Sequence, residues 1–226
     1  MTRGTGTAPR SRPLLPGAPL CRCWIGLVVV LALAFCNAAF AAENRVILLR
    51  GYLGLFSNGL DELADELKAK GFDVEVRRHL YWTDVVNDLL RDRAAGKIGT
   101  LTFVGHSQGG NDAIEIATAL QVSHVPVDLI VALAPVYPKP VPANVAKAID
   151  YYQAGGWGSP LTPGQGFRGA LANHNLAGDQ SISHFNIAEN PRIRAEVVRE
   201  IEAVPQAASA RTQKPPPPGR KPPAVR

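Results

Sequence analysis

Residues 100–110 read Thr-Leu-Thr-Phe-Val-Gly-His-Ser-Gln-Gly-Gly, and this stretch decides how the chain folds. Its first five residues are apolar or β-branched, which is typical of a buried strand. The segment from Gly109 to Leu120 then repeats apolar residues at helical spacing. The pattern therefore predicts that Ser107 lies in a sharp turn between a buried strand and an amphipathic helix.

Two glycines flank this serine for a physical reason. Strand and helix approach each other closely at such a turn, so side chains two residues before and after the serine would collide with them, and Gly105 and Gly109 remove those side chains. The helix beginning at Gln108 points its first N–H groups at the space in front of the serine. The pattern favours a nucleophilic serine with a site for a developing oxyanion. A glycine-rich turn with an incidental serine is the alternative, whereas phosphate-loop and dinucleotide spacings are absent.

Short apolar runs alternate with amphipathic helices through the rest of residues 43–204. Strict alternation with short connections predicts an α/β fold, with a mainly parallel, doubly wound sheet of about six strands. The predicted strands lie at 45–49, 73–76, 100–104, 128–134, 144–153 and 169–176, and the predicted helices at 60–68, 83–95, 109–120 and 191–204.

With these features the chain resembles the α/β-hydrolase superfamily, and within it the small lidless lipases and esterases. The resemblance covers residues 45–204 and implies a minimal α/β-hydrolase fold. The first strand ends in Leu-Arg-Gly-Tyr-Leu-Gly at 49–54, where family members carry His-Gly-x-x-Gly. By this resemblance the backbone N–H groups of Tyr52 and Gln108 would form the oxyanion hole. Arg50 replaces the family's histidine, which matters little because the hole uses backbone groups only.

Five histidines compete for the role of general base. His184 lies after the last predicted strand and before the last helix, where the family places its catalytic histidine. The sequence order of Ser107 before His184 agrees with that resemblance. The other four are set aside by position: His79 at the end of the second strand, His106 inside the serine turn, His124 at the opposite edge of the sheet and His174 inside the last strand.

The acid that would orient this histidine is not decided by the sequence. The family carries Asp or Glu after the strand before the last one, but residues 151–158 hold no carboxylate. Asp179, in the histidine's own loop, is the first candidate, and Asp150 is the alternative. Both are equally consistent with surface or turn residues. A third option is a dyad whose histidine is oriented by a backbone carbonyl or an amide.

The N-terminal residues 1–41 have the layout of a secretory signal peptide. A basic start is followed by an apolar run from Trp24 to Phe35 and by Ala39-Phe40-Ala41 before the expected cleavage site. We therefore expect export to the periplasm or the medium. The alternative is an uncleaved anchor through residues 23–42, which are uncharged and just long enough to span a bilayer, so that the domain is tethered outside the cytoplasm.

The C-terminal residues 205–226 are basic and rich in proline, which predicts a disordered tail. The two ends of the chain hold nine of the 24 basic residues and none of the 19 acidic ones. The isoelectric point near 9.3 therefore does not indicate nucleic-acid binding by the central domain. All three cysteines lie in the leader, which excludes a disulfide framework or a cysteine nucleophile from residues 42–204. No cofactor is implied, and the His and acidic residues lack the spacing of metal ligands.

The sequence thus predicts an exported serine hydrolase that cleaves small-molecule or lipid esters. The connection at 136–143 carries three prolines and is too short for a helical lid, so an open site is expected. Trp157, Leu161, Phe167 and Phe185 are candidates to line an apolar acyl groove, or simply to pack in the core. Two alternatives stay open: a hydrolase-fold ligand-binding protein without catalysis, suggested by the missing acid, and an envelope-tethered scaffold that uses the proline-rich tail.

Overall fold

The computed structural model describes residues 42–54 and 57–205. The predicted signal peptide or anchor, and all of the proline-rich tail except Pro205, lie outside the described residues. Those assignments therefore stay predictions. Within the described ranges, no helix combines the length and the apolar character needed to cross a membrane.

Six parallel strands form one sheet, in the order β2-β1-β3-β4-β5-β6. The chain moves from β1 outward to β2 and then returns to the other side of β1 as β3. Open α/β sheets place ligand sites at such a reversal, beyond the carboxyl ends of the strands. The strands are β1 (Glu43–Arg50), β2 (Asp73–Arg78), β3 (Ile98–His106), β4 (Val127–Leu133), β5 (Val145–Tyr152) and β6 (Ala170–Asn175).

Helices cover both faces of this sheet. They are α1 (Gly59–Ala69), α2 (Trp82–Ala94), α3 (Gln108–Val122) and α4 (Pro191–Glu202). One buried cluster joins the sheet to α1 and α4, and a second joins its other face to α2 and α3. The doubly wound parallel sheet is therefore confirmed, and its strand order and helix layers are those of a minimal α/β-hydrolase fold.

Side-chain alternation along the strands explains the two clusters. In β1, Val46 and Leu48 pack toward α1 and α4, whereas Ile47 and Leu49 pack toward α2 and α3. All four are at most 1% exposed, and each buried side chain of this size contributes roughly 1.5–3 kcal/mol relative to an exposed one. Burial on both sides explains why the central strands β1, β3 and β4 are largely apolar, unlike the edge strands β2 and β6.

The N-termini of the helices differ in how well the sequence predicts them. Asn190 caps α4, since its side chain accepts hydrogen bonds from the N–H groups of Arg192 and Ile193. The predicted start of α2 at Thr83 is wrong by one residue. This helix begins at Trp82, directly after a 3-10 turn at His79–Tyr81. The preceding turn sets the start of α2, and local capping signals do not reveal it.

Candidate active site

Ser107 lies in the strained turn between β3 and α3. Its backbone angles are φ 55° and ψ −121°, a region that non-glycine residues rarely occupy. Its N–H donates to the carbonyl of Leu133 over 2.8 Å, which ties the turn to β4. Strain retained by surrounding structure is typical of functional residues, and here it presents one hydroxyl at the carboxyl edge of the sheet.

Gly105 and Gly109 lie where the backbone permits no side chain. A Cβ at Gly105 would be 2.2 Å from the carbonyl oxygen of Gly109, and a Cβ at Gly109 would be 2.1 Å from that of Leu49. Helix α3 therefore lies directly against β1 and β3. This close approach is the physical reason for a glycine at each position.

The turn after β1 lies directly beside the nucleophile. A Cβ at Gly51 would be 3.1 Å from the Cβ of Ser107, so the backbone leading into Tyr52 passes next to the serine. A 3-10 turn at Tyr52–Gly54 follows, closed by a 3.0 Å hydrogen bond from the Gly54 N–H to the Gly51 carbonyl. Arg50 stabilises this segment from outside through an ion pair with Asp61. The assignment of the Tyr52 and Gln108 N–H groups as oxyanion donors stays a prediction.

His184 is oriented by a main-chain carbonyl. Its Nδ1 lies 2.7 Å from the carbonyl oxygen of Trp157. A carbonyl only accepts hydrogen bonds, so Nδ1 carries the proton. Burial lowers the pKa of His184, and the Trp157 carbonyl opposes this shift only in part. The ring is therefore neutral at pH 7, and its Nε2 has an unprotonated lone pair, as a general base requires.

The loop around His184 is held by its own polar side chains. Asn186 accepts hydrogen bonds from the N–H and hydroxyl of Ser183 and donates to the carbonyl of Ser181. Gln153 donates to the carbonyl of Ile182 over 2.6 Å. This last bond joins the loop that carries Trp157 to the loop that carries His184, so the base and its orienting carbonyl are fixed together.

The structure does not place Asp179 in the role of triad acid. Its carboxylate accepts from the hydroxyl and N–H of Ser181, and from Arg192 over 2.9 Å. These bonds, from Ser181 first, hold the pKa of Asp179 below its usual value. The single Nδ1 proton of His184 goes to Trp157 instead. Asp179 thus acts as a turn former and an ion-pair partner at the surface.

Asp150, the alternative acid, is not positioned for that role either. It lies inside β5, which continues to Tyr152, and it is fully buried in register with Ala132 and Asn173. Burial raises the pKa of Asp150 to about 8, although the backbone N–H of Leu161 partly opposes the shift. A carboxyl that is protonated at neutral pH cannot stabilise an imidazolium as an anion would. The third option was a dyad oriented by a backbone carbonyl, and Nδ1 of His184 does face the carbonyl of Trp157. The dyad itself stays a prediction.

His106, to which the sequence gives no role, contacts two distant loops. The ring is 1% exposed, with Nδ1 2.9 Å from the hydroxyl of Ser57 and Nε2 2.8 Å from the carbonyl oxygen of His184. Both contacts span long stretches of chain, so no local pattern could reveal them. The apolar strand around His106 was the available signal, because a histidine there must be buried and therefore hydrogen-bonded.

A His–Asp pair lies beside the first turn of α3. The Nδ1 of His79 lies 3.3 Å from the buried Asp112, which also accepts a 3.3 Å hydrogen bond from the side chain of Gln108. Asn111 donates to the Gln108 side chain over 3.1 Å. Burial raises the pKa of Asp112 to about 6. An aspartate on the apolar face of a predicted helix was the signal for this network, which fixes the residue next to the nucleophile.

The two other histidines lie away from Ser107. His124 is exposed in the turn between α3 and β4 at a φ of 54°. His174 stacks on Tyr151 near the end of β6, with ring centroids 4.9 Å apart. Neither lines the cavity at the nucleophile.

A cavity of about 170 Å³ opens over Ser107. A neighbouring cavity of about 350 Å³ shares Trp157 with it. Trp157 and Phe185 are 65% and 44% exposed there, whereas Leu161 is buried in the core and Phe167 packs against it. The groove at the site is therefore aromatic and open. The first cavity is lined by Gly51, Tyr52, His106, Ser107, Trp157, His184 and Phe185.

The arrangement can perform nucleophilic chemistry with protein groups alone. A strained serine hydroxyl and a neutral, oriented imidazole line the same small cavity at the carboxyl edge of the sheet. Among the described residues, no group of three or more His, Cys, Asp or Glu side chains could hold a metal ion.

Comparison with known proteins yields likenesses of fold. No protein-family model and no curated protein matches the chain. One similar solved structure is a candidate hydrolase of the α/β superfamily from Xanthomonas campestris pv. campestris, 20% identical over 70% of this chain and 99% of the other, with a TM-score of 0.39. Another is Est1E from Butyrivibrio proteoclasticus, 10% identical over 74% of this chain and 91% of the other, with a TM-score of 0.44.

Proposed function

We propose that the chain is a serine hydrolase that cleaves carboxylic esters, with Ser107 as nucleophile and His184 as general base. One observation carries this proposal. The Trp157 carbonyl holds the proton of His184 on Nδ1, which leaves Nε2 as the basic nitrogen in the cavity that contains the strained Ser107.

The reaction would follow the acyl-transfer sequence. His184 Nε2 takes the proton of Ser107 as Oγ attacks the ester carbonyl carbon, and the N–H groups of Tyr52 and Gln108 receive the oxyanion. The imidazolium then returns its proton to the leaving alkoxide, which departs as an alcohol. Water repeats both steps on the acyl-enzyme and releases the carboxylic acid.

The Trp157 carbonyl replaces the acid of a triad in fixing the orientation of His184, but it stabilises the imidazolium less well. It fixes the tautomer and the ring orientation, which is the larger share of that task. As a neutral acceptor it stabilises the imidazolium less than a carboxylate would, because charge-assisted hydrogen bonds are roughly twice as strong. We therefore propose a functional dyad that works more slowly than a full triad on the same substrate.

The surroundings of the dyad favour esters with an apolar acyl group. Trp157 packs on Phe185 with ring centroids 5.7 Å apart, and both stay largely exposed beside the cavity. Exposed aromatic pairs beside a reactive group provide an apolar contact surface for a ligand. Small-molecule and lipid esters are both compatible with this open groove.

Labelling of the purified full-length chain with a fluorophosphonate probe tests the proposal. We expect covalent labelling of Ser107 that is absent in Ser107→Ala and at least about a hundredfold slower in His184→Ala, because a general base contributes 10²–10⁴ in rate. His124→Asn is the matched control, and Asn tolerates the positive φ at that position. No labelling of folded wild-type protein, and no hydrolysis of short-chain or long-chain esters, would overturn it.

A catalytically inactive ligand-binding protein is the second candidate. It is favoured by one observation, the absence of a carboxylate at Nδ1 of His184. Saturable binding of an apolar ester by both wild type and Ser107→Ala, with turnover by neither, would establish this function instead.

Export is a separate proposal that rests on the leader sequence alone. Cleavage before Ala42 would give a mature protein whose N-terminus reads Ala-Glu-Asn-Arg. N-terminal sequencing of protein recovered from the producing cells and their medium checks this. An intact N-terminus in the membrane fraction would indicate the anchor through residues 23–42 instead.

A further inference from the structure

His106 precedes the nucleophile and contacts two distant loops. Its Nδ1 lies 2.9 Å from the hydroxyl oxygen of Ser57, and its Nε2 lies 2.8 Å from the main-chain carbonyl oxygen of His184. The acyl-transfer scheme gives neither His106 nor Ser57 a step. Both side chains are nevertheless almost fully buried, at 1% and 0% exposure.

The chemistry of the partners fixes every proton in this arrangement. The His184 carbonyl can only accept, so Nε2 of His106 carries a proton. Burial lowers the pKa of His106 to about 4, so the ring is neutral and Nδ1 is an acceptor. The Ser57 hydroxyl must then donate to Nδ1. The same hydroxyl oxygen accepts the N–H of Gly51 over 3.2 Å.

One end of this chain of bonds holds the expected oxyanion hole. Gly51 directly precedes Tyr52, and its backbone lies against Ser107. Ser57 positions Gly51, and His106 orients the Ser57 hydroxyl. The peptide plane between Arg50 and Gly51 is therefore linked to His106 through two hydrogen bonds, and it directly precedes the plane that carries the Tyr52 N–H.

The other end holds the general base. His106 binds the main chain of His184, and Trp157 binds its ring, so the base is fixed at two points. The two histidine rings also contact each other, with centroids 5.2 Å apart at 42°. Loss of the main-chain bond would free the His184 loop to shift relative to Ser107.

We propose that His106 is a positioning residue that sets the base and the oxyanion hole relative to the nucleophile, acting through Ser57 on one side and the His184 carbonyl on the other. This inference rests on the proposed serine-hydrolase function. Misplacement by about 1 Å can cost a hundredfold in rate, so loss of either bond should lower turnover while substrate affinity is kept.

Two substitutions at His106 separate its two bonds. In His106→Asn the amide can occupy the Nδ1 position and bind Ser57, but it is too short to reach His184. In His106→Gln the amide can reach His184, but the position of Nδ1 is left empty. Ser57→Ala removes the Ser57 bond from the opposite side and is the milder change for folding.

Ester hydrolysis by the full chain, with melting curves for each variant, tests the proposal. We expect kcat to fall at least about tenfold in all three variants while KM stays within about threefold. Ser57→Ala combined with His106→Gln should be no slower than either single variant, because both remove the same bond. Ser57→Ala combined with His106→Asn should be slower than either alone. His124→Asn is the control and should match wild type.

The wild-type chain also allows a test that does not depend on mutation. Nitrogen-15 NMR of labelled histidines at pH 7 should show His106 as the Nε2–H tautomer and His184 as the Nδ1–H tautomer. The opposite tautomer at His106 would overturn the proposal, even if the His106 variants fail to fold.

The outcomes separate this inference from the proposed function. Wild-type protein that neither reacts with a fluorophosphonate nor hydrolyses esters would refute the function itself. Active wild type, with folded Ser57→Ala, His106→Gln and His106→Asn all within twofold of its kcat, would refute only the positioning role.

Discussion

At the scale of single residues, the group that orients the proposed base, His184, comes from the main chain. The Trp157 carbonyl accepts the hydrogen bond from Nδ1 of His184. The two acids that the sequence offered lie in other surroundings. Asp179 pairs with Arg192 at the surface, and Asp150 is buried inside a strand. Different surroundings have thus given two carboxyls of the same chemistry opposite pKa shifts, and neither shift suits a triad acid.

Replacement of Asp179, the first candidate acid, tests this directly. We expect Asp179→Asn to keep ester hydrolysis within about threefold of wild type, whereas His184→Ala should lose about a thousandfold. The asparagine can still accept from Ser181, so the turn should hold. Steady-state rates, with circular dichroism to confirm folding, check the prediction. A loss comparable to that of His184→Ala would restore Asp179 as the triad acid.

The pH dependence of the reaction reports the environment of His184. Burial lowers its pKa, so the base stays neutral to a lower pH than an exposed histidine would. We expect the acid limb of kcat/KM to have its midpoint below pH 6.5, the usual value for histidine. Trp157→Ala should move this limb upward, because it exposes the ring to water while the orienting carbonyl stays in place. A wild-type midpoint at or above pH 6.5 would contradict this.

At the scale of elements, the nucleophile depends on how closely α3 approaches β1. Gly109 faces the carbonyl of Leu49 with no room for a methyl group. The helix start is thereby brought against the end of β1, just before the turn that contains Tyr52. The position of Ser107 follows from contact between two backbones rather than between side chains, so substitution here should disturb both stability and the proposed activity.

A single methyl group at this contact should have a large effect. Gly109→Ala would place a Cβ 2.1 Å from the Leu49 oxygen, so α3 must shift away from β1. We expect the free energy of unfolding to fall by about 3 kcal/mol and labelling of Ser107 to be lost. Gly178→Ala is the control, because its Cβ would meet nothing within 4 Å. Urea unfolding of both variants measures the difference, and equal stabilities would contradict the argument.

The sequence reveals most of the elements but only part of the site. Apolar runs and helical periodicity are local signals, so the six strands, four helices and the serine turn are predictable. The partner of His184 is not, because a backbone carbonyl belongs to every residue and only the three-dimensional fold singles out Trp157. The bond between His106 and Ser57 joins residues that are 49 positions apart in the sequence. No local sequence pattern can therefore predict it. The burial of Asp150 had a signal, because Ala148 lies two residues earlier on the same face of β5.

At the scale of the whole molecule, two buried titratable groups on the sheet, His106 and Asp150, make stability change with pH in opposite directions. His106 has a pKa near 4 in the folded chain, below its unfolded value of about 6.5, so its contribution is lost as pH falls through that range. Asp150 has a pKa near 8, above its unfolded value of about 3.9, so its contribution is lost as pH rises. Between pH 6.5 and 8, His106 is neutral in both the folded and the unfolded chain. Asp150 is then protonated in the folded chain and ionised in the unfolded chain, which disfavours the folded state.

Asparagine at position 150 should therefore remove a pH-dependent cost. Between about pH 5 and 7 the folded chain holds a proton on Asp150 that the unfolded chain has released. The stability of wild type relative to Asp150→Asn should consequently fall by about 1.4 kcal/mol for each pH unit and level off above pH 8. Asp65→Asn, an exposed carboxyl on α1, controls for the loss of one acidic group. Urea unfolding at several pH values measures the difference. A constant offset between the two proteins across this range would show that Asp150 is ionised in the folded chain, and would require a partner for its charge inside the sheet.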